Sequence, residues 1–329
     1  MKSFRTILPN FDGELKINHQ TGVCFLGSCF TEHIGRKLQT AKFNVLQNPF
    51  GILYNPFSIG DGLLRMIDGH PFGKKDLVER NGLWMSFAHH SRFSGLDREK
   101  VLEHINQSLI QAHQFLEKAE VLFISLGTAK SYRLKNTQKV VANCHKFPAS
   151  NFDFFLATTD AVVSALTQVI QKLKVFNPGL QIIFTVSPVR HLKDGLIENQ
   201  QSKATLLLAV AQLQKQWAHV RYFPSYEIMM DDLRDYRFYA YDRIHPNEEA
   251  IDYIFDYFSE AYFTEDTRLL IKKILKINNA ISHRPFNKES ADYQDFVKST
   301  IEKISELEQQ NKFLSFGEEK RFLMGNLCS

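Results

Sequence analysis

Five short apolar runs, set apart by longer amphipathic stretches, constrain this chain more than any other feature. They cover residues 23–27, 43–46, 121–127, 181–186 and 220–223. Each is too short for a helix and apolar on both faces, the pattern of a strand covered on both sides. Helical periodicity occupies 31–41, 97–117, 155–176 and 201–218. A final helix over 247–262 opens at Pro246, where a missing N–H costs no intrahelical bond. Strands alternating with helices imply an α/β fold. The expected architecture is a three-layer α/β/α sandwich whose five-stranded parallel sheet has the order 2-1-3-4-5.

Two interruptions break the alternation. Residues 76–80 and 83–87 flank Asn81-Gly82, a tight-turn signal, and read as a hairpin. Residues 131–134 against 139–142 read as a second. Both leave the carboxyl edge of the sheet, where open α/β sheets place their ligands. They would carry His89-His90 and Cys144-His145 toward that edge.

Composition narrows the class. The 329 residues carry a net charge of +4, with 44% hydrophobic and 23% charged residues, as in ordinary globular chains. So weak a basic surplus argues against a nucleic-acid partner. No run approaches the ~20 apolar residues of a membrane span, and Met1–Arg5 opens no secretory signal. Cys24, Cys29, Cys144 and Cys328 form no CxxC pair, so a reduced, cytoplasmic location is expected. Adjacent histidines point apart and no HxxxH spacing occurs, so no metal or other cofactor is expected.

Two segments invite chemistry. The first strand ends in Gly27-Ser28-Cys29-Phe30 and a helix begins at once. Such a junction presents a nucleophile at the sheet edge beside the free amides of a helix N-terminus. Asp242-Arg243-Ile244-His245, just before the last helix, sets a carboxylate three residues from an imidazole that it can orient. Neighbouring side chains of an extended segment face opposite ways, so only one of Ser28 and Cys29 should enter the cleft.

These residues carry a resemblance. Gly27-Ser28, Gly51, Gly127-Thr128 and Asp242-x-x-His245 resemble, in order, the blocks of SGNH hydrolases. Gly27-Ser28-Cys29-Phe30 is similar to the motif that names the GSCFA family. So are Asn48-Pro49-Phe50-Gly51-Ile52-Leu53-Tyr54-Asn55-Pro56 and Ser187-Pro188-Val189-Arg190-His191. The resemblance spans residues 1–262. It implies Ser28 as nucleophile, His245 as its base and Asp242 orienting His245. The oxyanion hole would draw on Ser28, Gly51 and Thr128. Two positions depart from the pattern: Thr31 replaces a usual Ala, and Ala129 replaces the Asn that donates to the oxyanion. His90, Asn143, His145, Arg190 and His191 are candidates for supplying that donor or gripping substrate.

The implied function is an esterase or deacylase acting on an O-acyl ester, with a small molecule or a glycan as substrate, through an acyl-Ser intermediate. Acyl transfer is the close variant. A noncatalytic binding or scaffold protein that keeps the pocket is the reading from another class.

Residues 263–329 form a separate helical appendage. A helix over 289–312 carries an apolar stripe of Tyr293, Phe296, Val297, Thr300, Ile301, Ile304 and Leu307. This stripe must be buried, by packing or in a homodimer.

Overall fold

The computed structural model describes residues 6–9, 14–282 and 286–325; Met1–Arg5, His283-Arg284-Pro285 and Cys328 lie outside them. The central parallel sheet contains β1 (Val23–Gly27), β2 (Val45–Gln47), β5 (Val121–Leu126), β9 (Gln181–Val186) and β10 (Val220–Tyr222), in the order β10-β9-β5-β1-β2. In sequence order of its five strands this is 2-1-3-4-5, as expected. Register aligns Gly27 with Ser125 and Ser125 with Thr185, so the strands end at a common edge.

Alternate residues of each strand feed two cores. Cys24, Leu26, Leu122, Ile124, Ile182 and Phe184 face α2 (Pro56–Asp68), α3 (Arg98–Lys118), α4 (Thr159–Phe176) and α5 (Leu196–Gln216). Val23, Phe25, Val121, Phe123 and Ile183 face α1 (Cys29–Thr40) and α7 (Glu248–Tyr262). Seven buried phenylalanines lie on this second side, Phe25, Phe30, Phe43, Phe123, Phe223, Phe258 and Phe263. The Phe258 ring lies 5.7 Å from Phe123 and 5.5 Å from Phe223, both edge-on.

The hairpin β3 (Val78–Arg80) and β4 (Leu83–Met85) turns at Asn81 and Gly82, both at positive φ. The second hairpin is larger than its sequence implied. β6 (Lys130–Leu134) pairs with β7 (Val140–Val141) on one side and with β8 (Phe152–Leu156) on the other. Helix was expected from Phe155, yet α4 starts only at Thr159, capped by Thr158. Helix α2 had no sequence expectation, although Asn55 caps it and Pro56 opens it. After β10 a single turn α6 (Ser225–Glu227) runs into a π-turn over Ile228–Leu233.

Three helices follow: α8 (Glu265–Ser282), α9 (Ala291–Gln310) and α10 (Gly317–Met324). They enclose their own core of Ile274, Ile277, Tyr293, Val297, Ile304, Leu307 and Phe316. Phe296 of the expected stripe is 38% exposed, and Ile301 is half-buried. The appendage also leans on the end of α1. Lys42 pairs with Glu319 and stacks over Phe316, and Asn278 donates to the Thr40 carbonyl at 2.8 Å. Ile304→Asp, which buries an unpaired charge at a fully enclosed position, should lower unfolding free energy by about 3 kcal/mol or more in urea denaturation. At the half-buried Ile301 the same change should cost clearly less.

Candidate active site

The β1–α1 junction is held by backbone geometry that only glycine allows. Gly27 has φ +137°, and a Cβ there would lie 2.2 Å from the Ser125 carbonyl oxygen. Gly27→Ala should therefore cost about 3 kcal/mol or more, read as a fall in melting temperature. Asn48, fully buried at the end of β2, fixes the turn from the other side. Its Oδ1 accepts from the Gly27 amide at 2.9 Å and its Nδ2 donates to Thr31 Oγ1 at 3.2 Å. Arg92 ties the Asn48 carbonyl and Glu32 together, at 3.2 Å for the carboxylate.

This turn aims Ser28 inward. Its side chain is 0% exposed, its Oγ lies 2.8 Å from Ser125 Oγ, and it caps α1 by accepting from the Phe30 amide at 3.3 Å. The expectation that the Ser28 hydroxyl faces the cleft is corrected accordingly. Cys29, the first residue of α1, is the less enclosed, half-buried member of the pair. Burial pushes its thiol up to about 11, and Glu32 adds to the rise. Its own amide, the Phe30 amide and the charge of Lys203 pull the other way. Cys29 Sγ thus lies beside the amides of a helix N-terminus, one of which, that of Phe30, already caps onto Ser28 Oγ.

The expected oxyanion donors are committed elsewhere. Ser28 N–H donates to the Ser125 carbonyl at 3.1 Å, Gly51 N–H to the Asn48 carbonyl at 2.7 Å, and Thr128 N–H to the Tyr54 carbonyl at 3.1 Å. Thr128 Oγ1 is bonded to Ser202 Oγ at 2.9 Å. Ala129 is fully buried, and its amide donates to Ser202 Oγ at 2.7 Å. The turn that would have carried the missing Asn is therefore clamped by α5. The Cys29 amide, at the first helical position, has no intrahelical acceptor.

Asp242 and His245 do form the expected pair. His245 Nδ1 lies 2.7 Å from Asp242 Oδ2, and Asp242 Oδ1 accepts from the amides of Ile244 at 2.9 Å and His245 at 3.0 Å. Those three bonds hold the Asp242 carboxyl down at about 2, so it is ionised throughout the neutral range. The loop after β9 reaches this pair, with Arg190 N–H on the Ile244 carbonyl at 3.2 Å. His191 links the two halves of the site. Its imidazole feels the charges of both Lys203 and His245, and its ring meets Tyr54 edge-on at 5.3 Å. Its Nε2, shielded from solvent over the glycine turn at Gly127, has no hydrogen-bond partner among the described residues. Burial keeps this ring neutral, with its pKa down at about 3.

Two family models match the chain. The GSCFA family model covers residues 22–258, and the model for the C-terminal domain of GSCFA domain proteins covers residues 274–325. The chain belongs to the GSCFA family. No curated protein matches it. Among solved structures, a carbohydrate esterase family 3 protein from Talaromyces cellulolyticus is similar at 10% identity and a TM-score of 0.36, over 78% of this chain and 99% of its own.

The remaining candidate residues of this GSCFA protein fall into two groups outside the junction. His145, at φ +47°, places Nε2 2.8 Å from the Ser86 carbonyl, and its amide donates to Asn143 Oδ1 at 2.8 Å. His90 packs on the Gly51 turn and accepts from the Arg92 amide at 3.3 Å. These three brace the rim. Arg190 lies over the rings of Tyr239 at 4.1 Å and Tyr236 at 5.2 Å, so it pins the 236–245 segment. Sequence reasoning gave no role to Asn48, Tyr54 or Lys203. No helix of the described residues is long and apolar enough to cross a membrane, and among them no group of three His, Cys, Asp or Glu side chains is placed to hold a metal.

Proposed function

We propose that this GSCFA protein transfers acyl groups from O-acyl esters to water through a thioester on Cys29. The observation that carries the reading is the division of labour at the β1–α1 junction: Ser28 is enclosed and bonded, and Cys29 is presented at the helix N-terminus. His245, oriented by the Asp242 carboxylate, takes the Cys29 proton as the sulfur adds to the ester carbonyl. The tetrahedral oxyanion draws on the Cys29 amide, with the neutral His191 ring as the second donor. Collapse expels the alcohol, which takes the proton from His245. Water, deprotonated by His245, then cleaves the thioester and restores the thiol. Cys29 takes the place that the resemblance gave to Ser28; His245 and Asp242 keep their expected roles.

Assay of the purified chain against short-chain aryl esters and O-acetylated sugars tests this. Turnover well above that of Cys29→Ala on at least one ester is expected. Equal rates for the two proteins on every ester would favour the scaffold reading.

A further inference from the structure

A cleft of about 380 Å³ lies beside the loop that carries Asp242 and His245. Arg190 after β9, Gln200 of α5, Tyr226 of α6 and the pair Tyr236 and Tyr239 line it. The Arg190 guanidinium sits 4.1 Å from the centre of the Tyr239 ring and 5.2 Å from that of Tyr236, and the two ring centres are 5.9 Å apart. Stacking on ring faces leaves the donor edge of a guanidinium for a planar acceptor. Among the described residues no carboxylate lies within ion-pair distance of Arg190. Asp231 is 3.9 Å from Arg234, and Asp235 Oδ1 accepts from the Arg237 amide at 2.8 Å. Tyr236 is 62% exposed, a large ring left at the mouth of the cleft.

The cleft adjoins the base. Tyr239 is bridged to Pro246, the Ala240 amide donates to the His245 carbonyl at 2.7 Å, and the Arg190 amide reaches the Ile244 carbonyl. In the proposed reaction His245 returns its proton to the departing alcohol, so the alcohol half of the ester lies on the His245 side. We propose that this cleft receives the alcohol half of the substrate and that Arg190 binds a carboxylate there, a reading that rests on the proposed role of His245. The substrate class is then O-acyl esters of carboxylate-bearing alcohols, such as a uronic acid unit. Binding pockets start at about 300 Å³, so the cleft suits one sugar-sized unit and not a length of chain. The Tyr236 ring offers an apolar face to the C–H face of such a unit. Formal charges of the lining Arg190, Arg234, Asp231 and Asp235 sum to zero. The carboxylate is therefore held by the fork of Arg190, not by a general positive field.

Two readouts on the full chain test this. Binding of methyl glucuronoside and methyl glucoside is followed by NMR titration. Wild type should bind the acidic sugar about tenfold more tightly or better, the scale of one charge-assisted hydrogen bond, and Arg190→Gln should erase the difference. The second readout is the ratio of kcat/KM for the O-acetyl esters of the same two sugars, acidic over neutral. It should fall from about ten or more toward one in Arg190→Gln. Arg190→Lys, which keeps the charge without the fork, should lie between, and it carries both comparisons if the Gln variant fails to fold. Loosening of the 236–245 segment would lower both rates alike. A ratio unchanged in a folded Arg190 variant, or a wild-type ratio near one, overturns the proposal. So does an Arg190-dependent preference for the O-succinyl ester of methyl glucoside, which carries its carboxylate on the acyl half. Arg190-dependent binding without turnover of any ester would end the esterase reading and leave the subsite standing. Turnover lost in Cys29→Ala, with no Arg190-dependent binding in wild type, gives the converse.

Discussion

Cys29→Ala should lower kcat/KM for a short-chain aryl ester by about a thousandfold or more, the scale seen when a nucleophile is removed from a covalent catalyst. Ser28→Ala should leave the rate within about tenfold of wild type. The contrast follows from where the two side chains lie. Ser28 Oγ is occupied by Ser125 Oγ and the Phe30 amide, and none of it meets solvent. Its loss costs a helix cap and a buried hydrogen bond, about 1–2 kcal/mol of stability. Steady-state kinetics and a melting curve on both variants separate the effects. A Ser28→Ala protein that melts normally yet has lost its activity would return the nucleophile to Ser28.

The second large effect is expected at the histidine loop. If His245 is the base we propose, His245→Ala should reduce kcat/KM by about a hundred- to ten-thousandfold. Asp242→Asn should approach the same loss with little change in fold. An amide oxygen can still accept from the Ile244 and His245 amides at Oδ1, now 2.9 and 3.0 Å. An amide NH2 facing Nδ1, however, would favour the wrong tautomer of the ring. Because the Asp242 carboxyl is held at about 2, its partnership with His245 persists as pH falls from 8 to 4. Any rate loss over that window must come from another group. If Asp242→Asn has wild-type kcat/KM with wild-type melting, the orienting role is wrong.

The sheet was legible because a parallel sheet covered on both faces writes itself as uninterrupted apolar runs; residues 181–186 match β9 end to end. β8 was not legible. Phe152, Phe154, Phe155 and Leu156 are apolar on both faces, so period 2 is hidden and Phe155 reads as the start of α4. The appendage core was visible in the spacing of Val297, Thr300, Ile304 and Leu307, whereas Phe296 shows that one apolar position on a helix edge can stay exposed.

At the site, Asp242 and His245 were readable because their pairing is local. Ser28 was misplaced because simple alternation does not carry through a residue at φ +137°. Gly27 rotates the chain, and which side chain enters the cleft depends on Ser125 and Asn48, contributed by other elements. The oxyanion residues failed for a related reason. Whether an amide is free depends on carbonyls as distant in sequence as Tyr54 is from Thr128. Lys203 sits among helical residues that give no sign of burial, and only the strand ends reveal what its ammonium meets.

The central claim is most directly tested by trapping the acyl-enzyme. Wild-type protein mixed with an excess of p-nitrophenyl acetate, quenched in acid and mapped by mass spectrometry should carry one acetyl group on the peptide containing Cys29, as a thioester cleaved by hydroxylamine. An acetyl group on Ser28, or full turnover with no adduct on either residue, would contradict the account.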